Sequence, residues 1–139
     1  MLEAGRPLTN AGASMSRVLI VDDEDSMRLL VARAIAMDGH DIMTASDGAE
    51  ALEILGSADS AFDLLLTDIQ MPIMDGIALA LAAARDFPDL TILLMTGFAD
   101  QRERASGLNA IAYDVITKPF SVADIRTAVA DALASRKRG

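Results

Sequence analysis

Apolar residues fall in five short runs along the chain, at 18–21, 42–45, 64–67, 92–95 and 115–117, each of strand length. Among and after them, apolar positions recur with a helical period over 26–37, 49–55, 77–85, 100–107 and 122–135. Five strands alternating with five helices predict an α/β domain whose parallel sheet is covered on both faces. The runs at 18–21, 64–67 and 92–95 are almost wholly apolar, as strands buried on both sides are, and these belong at the centre of the sheet. Turn-forming pairs support the division: Asp38-Gly39, Asp47-Gly48, Asp75-Gly76 and Pro88-Asp89 all fall at predicted boundaries.

Residues 1–15 are rich in Gly and Ala and carry no such pattern, which predicts a flexible leader; 16–136 form the domain and 137–139 a tail. With 139 residues and 52% apolar composition, the chain is sized for one well-buried domain. A net charge of −9 argues against nucleic acid or an anionic membrane as the main partner, because both would repel such a surface. The basic end Arg136-Lys137-Arg138 is too short to reverse this. The absence of cysteine excludes disulfides and thiolate metal sites and suits a reducing cytosol. The first residues lack the pattern of a secretory signal, and the apolar run at 77–84 falls far short of the roughly 20 residues that span a bilayer. The expectation is a soluble, cytoplasmic protein.

The stretch V-L-I-V-D-D-E-D-S, from Val18 to Ser26, ends a buried strand with four acids. Two carboxylates about 5 Å apart repel by roughly 3 kcal/mol at an effective dielectric of about 20, so such crowding needs compensation. A plainer reading has Asp25 or Ser26 capping the next helix and the other acids simply solvated. In open parallel sheets, ligands bind at the carboxyl ends of the strands, where the strand order reverses. The first strand delivers Asp22 and Asp23 there, the third Asp68, the fourth Thr96 and the fifth Lys118, followed by Pro119.

Singly, each of these has a structural explanation: Asp68 before Pro72 as a turn former, Thr96-Gly97 as a strand end, Lys118 as a surface lysine. Their convergence from four strand ends points instead to a phosphoryl site. Mg²⁺ prefers oxygen ligands supplied by a few carboxylates, and at Asp22 and Asp23 it would offset their repulsion. Asp68 has few charged neighbours in sequence and is the natural nucleophile. Lys118 and Thr96 are suited to contact phosphoryl oxygens. The lone His40 reads as a surface residue and the methionines as core filler.

The set Asp22, Asp23, Asp68, Thr96 and Lys118-Pro119, at these spacings in a fivefold β/α alternation, resembles the receiver domain of two-component response regulators. The resemblance covers about residues 16–136. It implies a flavodoxin-like (βα)5 doubly wound sandwich in which Asp68 accepts a phosphoryl group from a phosphohistidine on a histidine kinase or histidine phosphotransferase. It further implies that Asp23, Asp68 and the backbone carbonyl of Gln70 bind Mg²⁺ with Asp22 assisting through water, that Thr96 and Lys118 contact the phosphoryl group, and that the Lys118–Pro119 bond is cis. By the same resemblance the chain is not an enzyme acting on other substrates.

Two positions depart from that family's pattern. Receivers carry a Tyr or Phe three residues before the lysine, where this chain has Val115; Tyr113, two residues earlier, shares its strand face. The position two after Thr96, often polar in receivers, is Phe98, which would screen an acyl phosphate from water. The segment 97–108 has few apolar residues and is the expected two-state element. Little sequence follows the last helix, so signalling is expected through the domain's own surface as a stand-alone regulator. Residues 74–105 are similar to the CpdR group of alphaproteobacterial regulators, which implies control of substrate delivery to the ClpXP protease with the unphosphorylated form active. A haloacid dehalogenase-type phosphohydrolase fits less well, because Gln70 stands where that family has a second acid. A dinucleotide site lacks its glycine-rich turn, and an EF-hand its glycine and distal glutamate.

Overall fold

The computed structural model describes residues 16–57, 61–97 and 111–138, with side chains as far as 135. The described elements are β1 (Arg17–Val21), α1 (Asp25–Ala36), β2 (Asp41–Ala45), α2 (Gly48–Ser57), β3 (Leu64–Asp68), α3 (Gly76–Asp86), β4 (Thr91–Thr96), β5 (Asp114–Thr117) and α4 (Val122–Arg138). The leader, Phe98 and the helix expected over 100–107 lie outside the described residues.

The five strands form one sheet in the order β2-β1-β3-β4-β5, every neighbouring pair parallel. The order reverses between β1 and β3, because the chain steps outward from β1 to β2 and then crosses back over it. Alternate residues of the central strands feed two cores, as the twofold side-chain period requires. Leu19, Val21, Leu65, Ile92 and Leu94 pack with Ala51 and Leu55 of α2 and Leu79, Ala80 and Ala83 of α3. Val18, Ile20, Leu64, Leu66, Leu93 and Met95 pack with Val31 and Ile35 of α1 and Ile125, Val129 and Leu133 of α4. Each fully buried side chain of this size contributes about 1.5–3 kcal/mol.

Helix ends are specified locally. Asp75 caps α3 by accepting from the Ala78 N–H at 2.9 Å, and Ser121 and Asp124 exchange reciprocal 3.0 Å bonds ahead of α4. Gly39, at φ +86°, follows α1 in the left-handed conformation that ends helices. At the start of α1 the cap position is Glu24 with no side-chain bond, and neither Asp25 nor Ser26 caps it. Ahead of the helix, Asp22 Oδ1 accepts the N–H of the cap residue Glu24 at 3.0 Å, an Asx turn that leads into α1.

His40 lies in the turn into β2, partly buried, with its Nδ1 facing the Ser16 N–H at 3.4 Å. Met71 and Met95 are buried as core filler, but Met37 and Met43 lie exposed, on a helix end and an edge strand where no layer covers them.

Candidate functional site

The carboxyl ends of β1 and β3 meet at the reversal of strand order. Asp22 follows β1 directly and is buried, Asp23 beside it is exposed, and Asp68 is the buried last residue of β3. One carboxylate oxygen from each lies within 4.8 Å of the others. The loop after β5 swings Lys118 back over them: its Nζ donates to Asp68 Oδ1 at 2.8 Å and stands 3.5 Å from Asp22 Oδ2. The Lys118–Pro119 peptide is cis, as the resemblance implies, and the Lys118 N–H donates to the Thr96 carbonyl at 2.7 Å.

Thr96 ends β4, fully buried, in register with Thr117 of β5. Gln70 lies exposed in the loop two residues beyond Asp68. The sequence-predicted residues therefore all sit at one end of the sheet, with Asp22, Asp23, Asp68 and Lys118 in one cluster and Thr96 and Gln70 on the loops and strand ends around it. Val115 packs against the core under α2 and α3, whereas Tyr113 lies just ahead of β5 and is 45% exposed.

Among the described residues, three carboxylates face one ammonium, an excess of two negative charges. Burial, only partly relieved by the Glu24 N–H and by Lys118, pushes the Asp22 carboxyl above the usual range. Asp68 is likewise raised by burial, against the hydrogen bond and charge of Lys118. Burial acts to lower Lys118, but the hydrogen bond and charge of Asp68 outweigh it and hold the ammonium above its ordinary value. Among the described residues, Asp22 Oδ2 is buried without a hydrogen-bond partner of good geometry, the Lys118 ammonium standing 3.5 Å away. Such an oxygen costs on the order of 1–3 kcal/mol, or more when charged. An orphaned carboxylate oxygen in an all-oxygen cluster carrying two excess negative charges fits a hard divalent cation such as Mg²⁺.

Two supporting residues were not singled out from sequence. Arg28 donates to the Asp22 carbonyl at 2.8 Å and to Asp25 Oδ1 at 2.6 Å, fixing the turn that carries the acids; the i, i+3 spacing of Asp25 and Arg28 is the signal. Gly76 is the other. Its N–H donates to the Ile69 carbonyl at 2.7 Å, and a Cβ there would strike the Asp68 carbonyl oxygen and lie 2.8 Å from Ile69 Cα. The start of α3 thus presses directly on the backbone that holds Asp68, which only glycine permits.

Residues 18–130 match the response regulator receiver domain family. PrrA of Mycobacterium leprae, a transcriptional regulatory protein, is 32% identical over 94% of this chain and 54% of its own length. The regulatory protein AtoC of Escherichia coli is 37% identical over 86% of this chain and 26% of its own. The chain thus spans about half or less of the length of these curated relatives. Among solved structures, a CheY-like receiver domain protein from Methanospirillum hungatei superposes with a TM-score of 0.81 at 27% identity, covering 90% of this chain and 98% of that one. NtrX from Brucella abortus gives 0.81 at 31% identity, over 89% of this chain and 28% of its own. The strand order, the acid cluster at its reversal and these matches agree: the fold is flavodoxin-like, and the chain belongs to the response regulator receiver family of two-component systems.

Proposed function

We propose that this chain is a phosphoryl acceptor whose Asp68 takes the group from a phosphohistidine on a histidine kinase or histidine phosphotransferase. The observation that carries the reading is the pairing of Asp68 with Lys118 at 2.8 Å inside a cluster of three carboxylates. An Asp68 oxygen attacks phosphorus, the P–N bond breaks, and its electron pair passes to the ring nitrogen, which takes up a proton. Lys118 moves its charge from the carboxylate to the arriving phosphoryl oxygens, and the Thr96 hydroxyl supplies a further hydrogen bond. Asp22, Asp23, Asp68 and the Gln70 carbonyl are the groups that would hold Mg²⁺, which neutralises phosphoryl charge when bound.

The reaction is the protein's own modification, without turnover of a separate substrate. Its product carries about −1.5 to −2 charges at the site, and the signal is a change in protein–protein contact. Cytoplasmic placement is supported by the absence of cysteine and by there being, among the described residues, no helix long and apolar enough to cross a membrane. The finer reading, delivery of substrates to the ClpXP protease, rests on the CpdR-like segment 74–105. Its test is reconstituted ClpXP proteolysis with the phosphorylated and unphosphorylated chain, where equal rates in both would reject it.

Incubation with acetyl phosphate and Mg²⁺, read by intact mass, tests the primary reading. A Mg²⁺-dependent phosphoryl adduct that is lost in Asp68→Ala is the expected result. No adduct on a folded wild type would overturn it.

A further inference from the structure

Ile73 is, among the described residues, the one non-glycine with a positive φ, at +70°. The Met74 N–H donates to the Pro72 carbonyl at 2.7 Å, so Ile73 is the central residue of a γ-turn in its strained, positive-φ form. A β-branched side chain is crowded in that backbone region, where glycine or asparagine sits comfortably. Isoleucine gains nothing from burial in exchange, because its side chain is fully exposed at 103%. Backbone strain and hydration thus both disfavour isoleucine within the isolated domain. Strain retained without an internal gain points to a function outside the domain.

The backbone that carries this side chain is tied down on its C-terminal side. Met74 packs against Gly48 of α2, Asp75 caps α3, and Gly76 is bonded back to Ile69. A short apolar group on a tethered backbone has less freedom to lose on being covered, which favours it as a binding anchor. Ile73 lies five residues beyond Asp68, in the loop between β3 and α3 that rims the site. A protein that brings a phosphohistidine to Asp68 must cover that rim. A donor as small as acetyl phosphate need not.

We infer that Ile73 is a docking anchor for the phosphoryl donor, its side chain filling an apolar recess on the phosphohistidine-bearing protein, and that it sets which donors Asp68 accepts. This rests on the phosphoacceptor reading above. The surrounding carboxylates are polar rim, and the isoleucine is the desolvated centre of the contact, the arrangement in which a single side chain carries much of a binding energy.

The test compares wild type, Ile73→Asn and Ile73→Val with two donors: acetyl phosphate, and the purified histidine kinase that charges wild type fastest in a panel. For Ile73→Asn, charging by acetyl phosphate stays within about twofold while transfer from the kinase falls about tenfold through KM, and Ile73→Val recovers most of the loss. The melting temperature of Ile73→Asn stays at or above that of wild type, which separates lost docking from lost folding. An unchanged rate from the kinase, or an equal loss with both donors, overturns the inference. Wild type charged by acetyl phosphate but by no kinase in the panel overturns it alone, and wild type charged by neither overturns the phosphoacceptor reading with it.

Discussion

Lys118 Nζ lies 2.8 Å from Asp68 Oδ1, although the two residues are 50 positions apart in sequence. One ammonium, also 3.5 Å from Asp22, therefore straddles acids from two strand ends. Lys118 thus already serves the carboxylates, and on the proposed reading its charge is in place for an arriving phosphoryl group. Lys118→Met is expected to slow charging by acetyl phosphate about 100-fold. Mg²⁺ affinity should not fall, because the residue removed is a competing cation. Adduct formation by intact mass and a Mg²⁺ titration by calorimetry check the two halves.

Asp22 has a carboxyl raised by burial, so its ionised form opposes folding. A group with a raised folded-state pKa gives its full stability below the unfolded value and loses it as pH rises through the folded one. Near pH 7 in chelator, Asp22→Asn should therefore melt above wild type, since Asn keeps the oxygen that accepts the Glu24 N–H and sheds the charge. Mg²⁺ reverses the order. At about 100 times its dissociation constant a ligand of the native state adds about 2.7 kcal/mol, and wild type should gain most of this and the variant little. Thermal melts with and without Mg²⁺ decide it.

Two buried helix-starting glycines should respond differently to alanine. At Gly76 the new methyl meets backbone, the Asp68 carbonyl and Ile69 Cα, which cannot yield without moving Asp68. Gly76→Ala is expected to cost about 3 kcal/mol in urea unfolding and to reduce charging at Asp68. At Gly48 the atoms nearest the methyl belong to the Met74 side chain, which can shift as backbone cannot, so Gly48→Ala should stay within about 1 kcal/mol of wild type.

Arg126 of α4 grips Asp38, just past α1, through two nitrogens at 2.6 and 3.2 Å. Its hydrogen bonds, and then its charge, hold the Asp38 carboxyl below the ordinary value of 3.8. A depressed carboxyl stabilises the fold above its unfolded pKa and loses that contribution as pH falls through the folded one. Arg126→Met should thus melt below wild type near pH 7, with the gap closing only below about pH 4. High salt should narrow the gap as well, because the pair is partly open to solvent.

Much of this protein was legible without coordinates, for local reasons. A strand buried on both faces must be apolar throughout, so the runs ending at Val21, Thr67 and Met95 announced the central strands, and the residues that ended them announced the site. Asp22, Asp23, Asp68, Thr96 and Lys118 followed from that rule, since open parallel sheets place chemistry at strand ends. Among the described residues, element ends differ from the sequence reading by at most three residues, because caps such as Asp75 depend on near neighbours.

What tertiary structure decided is what depends on distance between residues far apart in the chain. Strand order places β1 beside β3 and so turns three separate acids into one cluster with an orphaned oxygen at Asp22. It also bonds Lys118 to Asp68 and puts the start of α3 hard against Asp68, which makes Gly76 indispensable. The partly buried His40 and the exposed Met43 likewise reflect which layer lies over which residue. Ile73 is the sharpest case: the sequence reading did not mark it, and only the sign of its φ and its full exposure set it apart. Periodicity carries information along a single element, whereas register, contact and backbone handedness arise when elements pack.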